Sequence, residues 1–477
     1  MICVFSPRSS RRLEYVLHHL IEEMWGESLL LLTDEEVFSA QAAEGKINYS
    51  GHPVPGAFFI PAHTLLFEED IHNQEIQLLQ GKEFPYCFPL SRPDADMDWD
   101  VFAACFYWLS RYEEYLPFRA DKHGRFTPEA SLACRNGCLH TALADRWAEH
   151  LQQLLKQRFP GLRFAERKAT FTPTYDIDIA YAYLHKGLPR TVGGLLRTTG
   201  KLLKSAFYDW DVFSEDIRKR WRAFTGRAND PYDTFDALQQ LHRDEKLHPI
   251  YFVLFAPRSR YDKGISPKKP AFRQKIMSLA QEAEIGIHAS YAASSEKEPL
   301  RLYSEKEALA AMLQRPVTAN RFHYLHFRLP ESYRMLLQAG ITDDYSMGFV
   351  TAAGFRAGTC KPFYFFDLER NETTPLRIHP LLFMENAFFK ESPDIQMSAR
   401  PPFKGHVPLY DQQPPKAAQL FEEIRPLLDE CIRFRGEIIT LFHNQSFGEL
   451  PGHDLPAKEV YTQIINYIHT ALCPSDG

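Results

Sequence analysis

Ala169-Thr170-Phe171-Thr172-Pro173-Thr174-Tyr175-Asp176-Ile177-Asp178 reads as a buried strand, Ala169 to Tyr175, that runs out into two carboxylates. Side chains two apart on a strand share a face, so Asp176 and Asp178 point the same way. Like charges that close require an offset: a divalent cation, an arginine or a shared proton. The same spacing also occurs where carboxylates cap turns or helices, so the dipeptide alone leaves both readings open. Downstream, further apolar runs read as strands at Pro249 to Phe255, Glu284 to His288, Val317 to His323, Ile341 to Tyr345, Leu376 to Phe383 and Glu437 to Phe442. Helical patterns intervene at Lys268 to Ala283, Ser304 to Gln314, Pro330 to Gln338 and Ala417 to Phe434. Seven strands in alternation with helices predict an α/β fold with a parallel sheet or barrel, whose chemistry gathers at the strand C-terminal ends.

Those ends are polar. The third strand delivers His288 within Gly286-Ile287-His288-Ala289-Ser290-Tyr291, and the fourth places Arg321 and His323 two apart on one face. The last strand, Ile438-Ile439-Thr440-Leu441-Phe442, leads straight to His443 and Asn444. Asp343, Asp344 and Ser346 follow the fifth strand, and Arg356 lies in Gly354-Phe355-Arg356-Ala357-Gly358. Each alone has a structural explanation, such as a satisfied core histidine. The two carboxylates Asp176 and Asp178, three histidines and two arginines then share one mouth, more than packing requires.

Residues 1–165 follow another pattern: helices at Leu13 to Met24, Val101 to Tyr112 and Ala142 to Phe159, with short apolar runs at Leu29 to Leu32 and Ala57 to Ile60. A smaller α/β or α+β domain is expected there, bounded by the turn signal Pro160-Gly161 and followed by the barrel unit at 166–477. Phe106 to Tyr115 reads as a core helix with Arg111, Glu113 and Glu114 exposed or paired. A basic helical insertion at about 186–245 interrupts the barrel. Within Lys186 to Arg227 it carries ten Lys or Arg against four Asp or Glu, with Leu188, Val192, Leu195, Leu196, Leu202, Leu203 and Phe207 at helical spacings. Such a stripe is either an amphipathic cover over the barrel or a face for peripheral membrane contact.

The chain has 477 residues and a formal net charge of -6, so no overall basic field attracts nucleic acid. Its eight cysteines form no Cys-x-x-Cys pair, and no run of about 18 apolar residues occurs. Reduced thiols and a start without signal-peptide pattern lead to the expectation of a cytoplasmic protein without a transmembrane segment.

Thr174-Tyr175-Asp176-Ile177-Asp178, His288, Arg321-Phe322-His323, Asp344-Tyr345-Ser346 and Leu441-Phe442-His443 resemble, in order, the five motifs of the polysaccharide deacetylases. The stretch from Pro173 to about Met384 is similar to an atypical bacterial branch with an extra N-terminal domain. The resemblance implies a distorted seven-stranded (β/α) barrel with Asp176 as general base and Asp178 as a metal ligand. The sequence departs from the second motif, where Ala292 or Ala293 and then Ser294 stand in place of a second histidine. His323 is expected to supply the missing imidazole, because its two-residue spacing sends it into the cavity of Arg321.

The expected site is therefore Asp178, His288 and His323 around one divalent ion, zinc first and cobalt, nickel or another ion as alternatives. Asp176, Arg321 and His443 are the expected catalytic groups, with Arg356, Tyr291 and Asp344 binding substrate. The expected reaction is removal of N-acetyl groups from an amino-sugar-containing saccharide by attack of a water whose pKa the metal lowers towards about 7. Hydrolysis of a small non-sugar amide or imide, or a degenerate glycan-binding barrel without catalysis, are the alternatives.

Overall fold

A computed structural model of the chain describes residues 1–187, 193, 210–296, 299–388, 416–448 and 456–472. The first sheet is parallel, with strands β1 (Ile2–Phe5), β2 (Leu29–Leu32), β3 (Gly45–Ser50) and β4 (Phe58–Pro61) in the order β2-β1-β3-β4. Every residue of β1 is buried, as an apolar strand with neighbours on both edges must be. The helix Arg11–Leu17 starts at Ser10, whose hydroxyl accepts the Leu13 N–H, and continues as a π-helix from His18 to Met24. The helix Val101–Leu109 is apolar all round because all nine of its residues are buried, and Asp100 caps it. A short antiparallel pair, β5 (Leu79–Gln80) and β6 (Pro85–Tyr86), completes this part.

The second sheet corrects the expectation of seven strands. It contains nine: β7 (Thr170–Ile177), β8 (Ile250–Val253), β9 (Glu284–Ala289), β10 (Ala319–Phe322), β11 (Asp343–Asp344), β12 (Phe363–Asp367), β13 (Glu372–Ile378), β14 (Phe383–Met384) and β15 (Glu437–His443). The order is β12-β13-β11-β10-β9-β8-β7-β15-β14, and only β12 against β13 is antiparallel. The run Leu376 to Phe383 is two strands because Pro380, which lacks an N–H, falls between them. No pairing among the described residues closes the sheet into a barrel.

The sheet nevertheless curls. Five residue steps separate Ile378 in β13 from Phe383 in β14, which lie towards opposite ends of the strand order. Five steps span at most about 18 Å, so the two ends must come round towards each other. Inside the curl, Ile250, Phe252, Ala319, Met384, Ile439 and Leu441 pack with Leu325, Tyr345 and Leu381 as a core of their own. The edge strand β12 is covered by the first part: Tyr15 donates its hydroxyl to the Tyr364 carbonyl at 2.8 Å, and Phe366 packs on Tyr15 and Phe106.

The helices Pro270–Leu279, Leu300–Leu313, Glu331–Gln338 and Ala417–Arg433 lie where the sequence pattern predicts them. Of the basic insertion, the helix Trp210–Phe224 is described, whereas Leu188, Val192, Leu195, Leu196, Leu202, Leu203 and Phe207 lie outside the described residues. No helix among the described residues is long and apolar enough to cross a membrane. Seven of the cysteines are free thiols.

Candidate metal centre

The C-terminal ends of β7, β9, β10 and β15 converge. Strand register sets Asp176 of β7 opposite His443 of β15, and His288 of β9 opposite Arg321 of β10. Asp178 is the first residue past the end of β7 and His323 the first past β10, where a 3-10 turn begins. Gly286 makes the β8–β9 contact feasible, because a Cβ there would meet the Phe252 ring at 2.5 Å. That ring in turn supports the Arg321 guanidinium, 4.5 Å from its centroid.

Arg321 is fully buried and donates to Tyr345 O at 3.0 Å, Thr174 Oγ1 at 2.6 Å and Asp176 Oδ1 at 3.1 Å. Burial lowers its pKa while Asp176 opposes that shift, and a guanidinium in such a pair stays charged at neutral pH. The repulsion implicit in Asp176 and Asp178 is thus half answered by Arg321.

Histidines answer the other half. His288 Nε2 lies 3.1 Å from Asp178 Oδ1 and 3.5 Å from Asp176 Oδ2. His323 Nε2 lies 3.4 Å, and His443 Nε2 3.6 Å, from Asp178 Oδ2. Each ring is aimed by a hydrogen bond at its other nitrogen: His288 Nδ1 to Arg321 O at 2.9 Å, His323 Nδ1 to Asp262 Oδ1 at 2.8 Å and His443 Nδ1 to Glu385 Oε1 at 2.6 Å. An imidazole that donates from Nδ1 to an oxygen presents the Nε2 lone pair to a metal.

The electrostatics are those of a carboxylate facing cations. Burial works against the charge of Asp178, but His323, His288 and His443 hold its pKa well below the usual carboxylate range. Burial likewise disfavours imidazolium at His323 and His443. Asp178 and Asp262 nevertheless raise His323 to about 9, and Glu385 with Asp178 raises His443 to about 10.

One oxygen of Asp178 and one nitrogen each of His288 and His323 lie within 4.8 Å of one another. Asp178 Oδ1 is buried and has no contact in hydrogen-bonding geometry besides its 3.1 Å approach to His288 Nε2. Two imidazoles and one carboxylate leave a coordination position open in a tetrahedral site, so this donor set fits zinc or a similar divalent ion. About a fifth of the Asp178 side chain is exposed, which gives the cluster access to solvent.

The three expected substrate-binding residues fare differently. Tyr291 sits beside the cluster, its N–H donating to Asp262 Oδ1 at 2.8 Å. Arg356 is not brought to the cluster. It is buried, donates to both oxygens of Glu114 at 2.9 and 2.6 Å, and lies over the rings of Phe327, Phe349 and Phe126. Asp344 is also sequestered, accepting from Asn320 Nδ2 and Ser346 Oγ, each at 2.8 Å. Both are bonded inside the protein and lie apart from the cluster's hydrogen bonds. Arg111 and Glu114 are paired, as the sequence reading allows, at 2.8 Å.

Sequence reasoning missed Asp262 and Glu385. Asp262 lies in an irregular loop and has no periodic signal. Glu385 does have one, since it follows β14 directly, as a carboxylate at a strand C-terminal end.

A family model described only as a family of unknown function, DUF7033, matches residues 2–160. No curated protein matches the chain. Among solved structures, the chain is similar to one assigned to a polysaccharide deacetylase from Mycobacterium smegmatis, at 14% identity and TM-score 0.36, covering 64% of this chain and 86% of that one. It is similar to PuuE allantoinase at 10% identity and TM-score 0.33, covering 65% and 90% respectively. A de-N-acetylase from Aggregatibacter actinomycetemcomitans matches at 12% identity and TM-score 0.21, over 38% and 88%.

Proposed function

We propose that the protein is a metal-dependent hydrolase of a carbon–nitrogen bond, acting on the N-acetyl group of an amino-sugar-containing saccharide. The observation that carries this reading is the convergence of Asp178, His288 and His323 within 4.8 Å, with Asp176 3.5 Å from His288 and His443 3.6 Å from Asp178. The substrate class follows the motif resemblance. The same proposal takes residues 1–165 and 166–477 as two units, in keeping with their separate sheets.

Asp178, His288 and His323 would hold the ion, and a divalent cation there supplies Lewis acidity towards a carbonyl and lowers the pKa of water. The remaining chemistry belongs to the chain. Asp176 takes a proton from the attacking water, kept in orientation by the Arg321 bond at 3.1 Å. His443, protonated and aimed by Glu385, gives a proton to the departing amine. Acetate and a free amine result, with one proton taken up by Asp176 and one given by His443.

The test is metal analysis together with acetate release across a panel of N-acetylated saccharides. Asp178→Ala and His288→Ala should lose metal and activity together, whereas His443→Ala should keep its metal and lose turnover by about 10²- to 10⁴-fold. Full metal content in both ligand variants would show that the ion sits elsewhere.

A further inference from the structure

The loop 121–125 belongs to the first part of the chain, yet its bonds go to the turns that carry the candidate metal centre. Asp121 shapes the loop: its Oδ1 accepts from His123 N at 2.8 Å and Arg125 N at 3.0 Å, and its Oδ2 from Arg125 Nε at 2.8 Å. Arg125, held this way, donates from Nη1 to the carbonyl of Tyr324 at 2.5 Å. Tyr324 follows His323 directly.

That carbonyl belongs to an uncommon backbone. Tyr324 has φ 64° and Leu325 φ 46°, the left-handed region that side chains with a Cβ rarely adopt. The reversal there turns the chain away immediately after β10, while His323 Nε2 faces Asp178. An arginine from outside the sheet thus bonds the residue that follows His323, at the reversal itself.

Two further contacts fasten the same loop. His326 Nε2 meets the His123 carbonyl at 3.0 Å, and its Nδ1 meets Ser294 Oγ at 2.7 Å. Burial pushes His326 down to about 4, so the ring is neutral, with Nε2 donating to the carbonyl and Nδ1 accepting from the serine. His123 Nδ1 reaches the Tyr291 hydroxyl at 3.0 Å. Gly124, at φ 77°, lies so close to Arg328 that a Cβ would meet its Nη2 at 2.1 Å. The loop thus grips the His323 turn and the turn after β9 together.

We propose that the loop 121–125 is a working part of the metal centre, with Arg125 a positioning residue that holds the His323 turn and so sets the affinity for the divalent cation. This rests on the reading that Asp178, His288 and His323 hold that cation. It gives the segment matched by the family of unknown function a task in the chemistry of the second sheet. A mere docking contact would contribute to stability and leave metal affinity unchanged.

The experiment measures zinc affinity of the full chain by competition with a chromophoric chelator, alongside the melting temperature of the metal-free protein. Arg125→Ala should weaken zinc binding about tenfold or more, the range seen when groups that orient ligands are removed, with one zinc still bound at saturation. Arg125→Lys, which keeps one donor, should recover part of the loss. Gly124→Ala should weaken zinc as well by displacing the loop, and these two variants carry the test if Arg125→Ala does not fold. In a His323→Ala background, Arg125→Ala should change zinc affinity no further. Wild-type affinity in Arg125→Ala, or an undiminished effect in the His323→Ala background, overturns the proposal. A wild-type chain that binds no zinc, or one whose affinity ignores His323→Ala, instead overturns the metal reading on which the proposal rests.

Discussion

Glu385→Gln isolates the charge that sets the protonation of His443. Glu385 Oε1 lies 2.6 Å from His443 Nδ1 and also accepts from the His443 backbone N–H at 2.9 Å and Ser446 Oγ at 2.7 Å. A glutamine oxygen accepts the same bonds, so the substitution removes charge and preserves orientation. Two unit charges about 4 Å apart interact by about 4 kcal/mol at an effective dielectric constant of about 20, or about 3 pKa units. His443, raised to about 10 in the wild type, should fall to about 7 in the variant. The acid form needed for proton donation would then drop about tenfold at pH 8, with the basic limb of the rate profile moving down accordingly. The assay is acetate release between pH 6 and 10, paired with NMR titration of the His443 ring and with metal analysis to verify loading. A variant whose His443 titration and basic limb both stay near pH 10 would refute the assignment of Glu385 as the source of the shift.

Further predictions concern the frame around the site. Glu114→Ala removes the carboxylate that Arg356 and Arg111 share at 2.6 and 2.8 Å, leaving buried cations, and should destabilise the protein by about 3–5 kcal/mol in urea denaturation. Its KM should stay unchanged at temperatures where it is folded; a raised KM with intact stability would return Arg356 to substrate binding. Glu305, bonded to Ser290 Oγ at 2.7 Å, is pushed up to about 7, chiefly by burial. The fold thus prefers its protonated form, so this contribution is complete below the ordinary glutamate pKa and is lost as pH rises to about 7. The difference amounts to ~3 kcal/mol. Glu305→Gln should flatten the decline in stability between pH 5 and 7, and an unchanged slope in denaturation across that range would remove Glu305 as its source.

The parts of this architecture that were legible in the sequence are those encoded locally. Six of the seven expected runs contain a single strand, because an apolar run bounded by turn residues carries its own signal, and the seventh, Leu376 to Phe383, is divided between β13 and β14. Asp176, Asp178, His288, Arg321 and His443 stand out as polar residues at the ends of such runs. β12 was not legible: Phe363-Tyr364-Phe365-Phe366 is aromatic without alternation, and its place depends on antiparallel pairing with β13 and on cover from Tyr15. Arg356 resembles a site residue locally, since a cation among glycines after a strand is a common binding signal. Its partner Glu114 lies 242 residues earlier, beyond the reach of any pattern. Asp262 has the same origin: its role comes from accepting His323 Nδ1 and the N–H groups of Tyr291 and Ala292, all supplied by other elements.

Charge balance connects these separate observations. Four carboxylates, Asp176, Asp178, Asp262 and Glu385, are paired within this cluster, Asp176 with Arg321 and the others with histidines. Without a metal, protons on His323 and His443 reduce the formal excess to one negative charge, which accounts for both imidazoles being raised. Under the proposed function, a divalent ion held in place of the His323 proton would bring the formal sum to zero and leave His443 its proton. The opposite roles proposed for two similar histidines then follow from their partners. His323 shares Asp178 with His288 and can surrender its proton to an ion between them. His443 is bound to Glu385 at 2.6 Å, which favours its charged state independently of that ion.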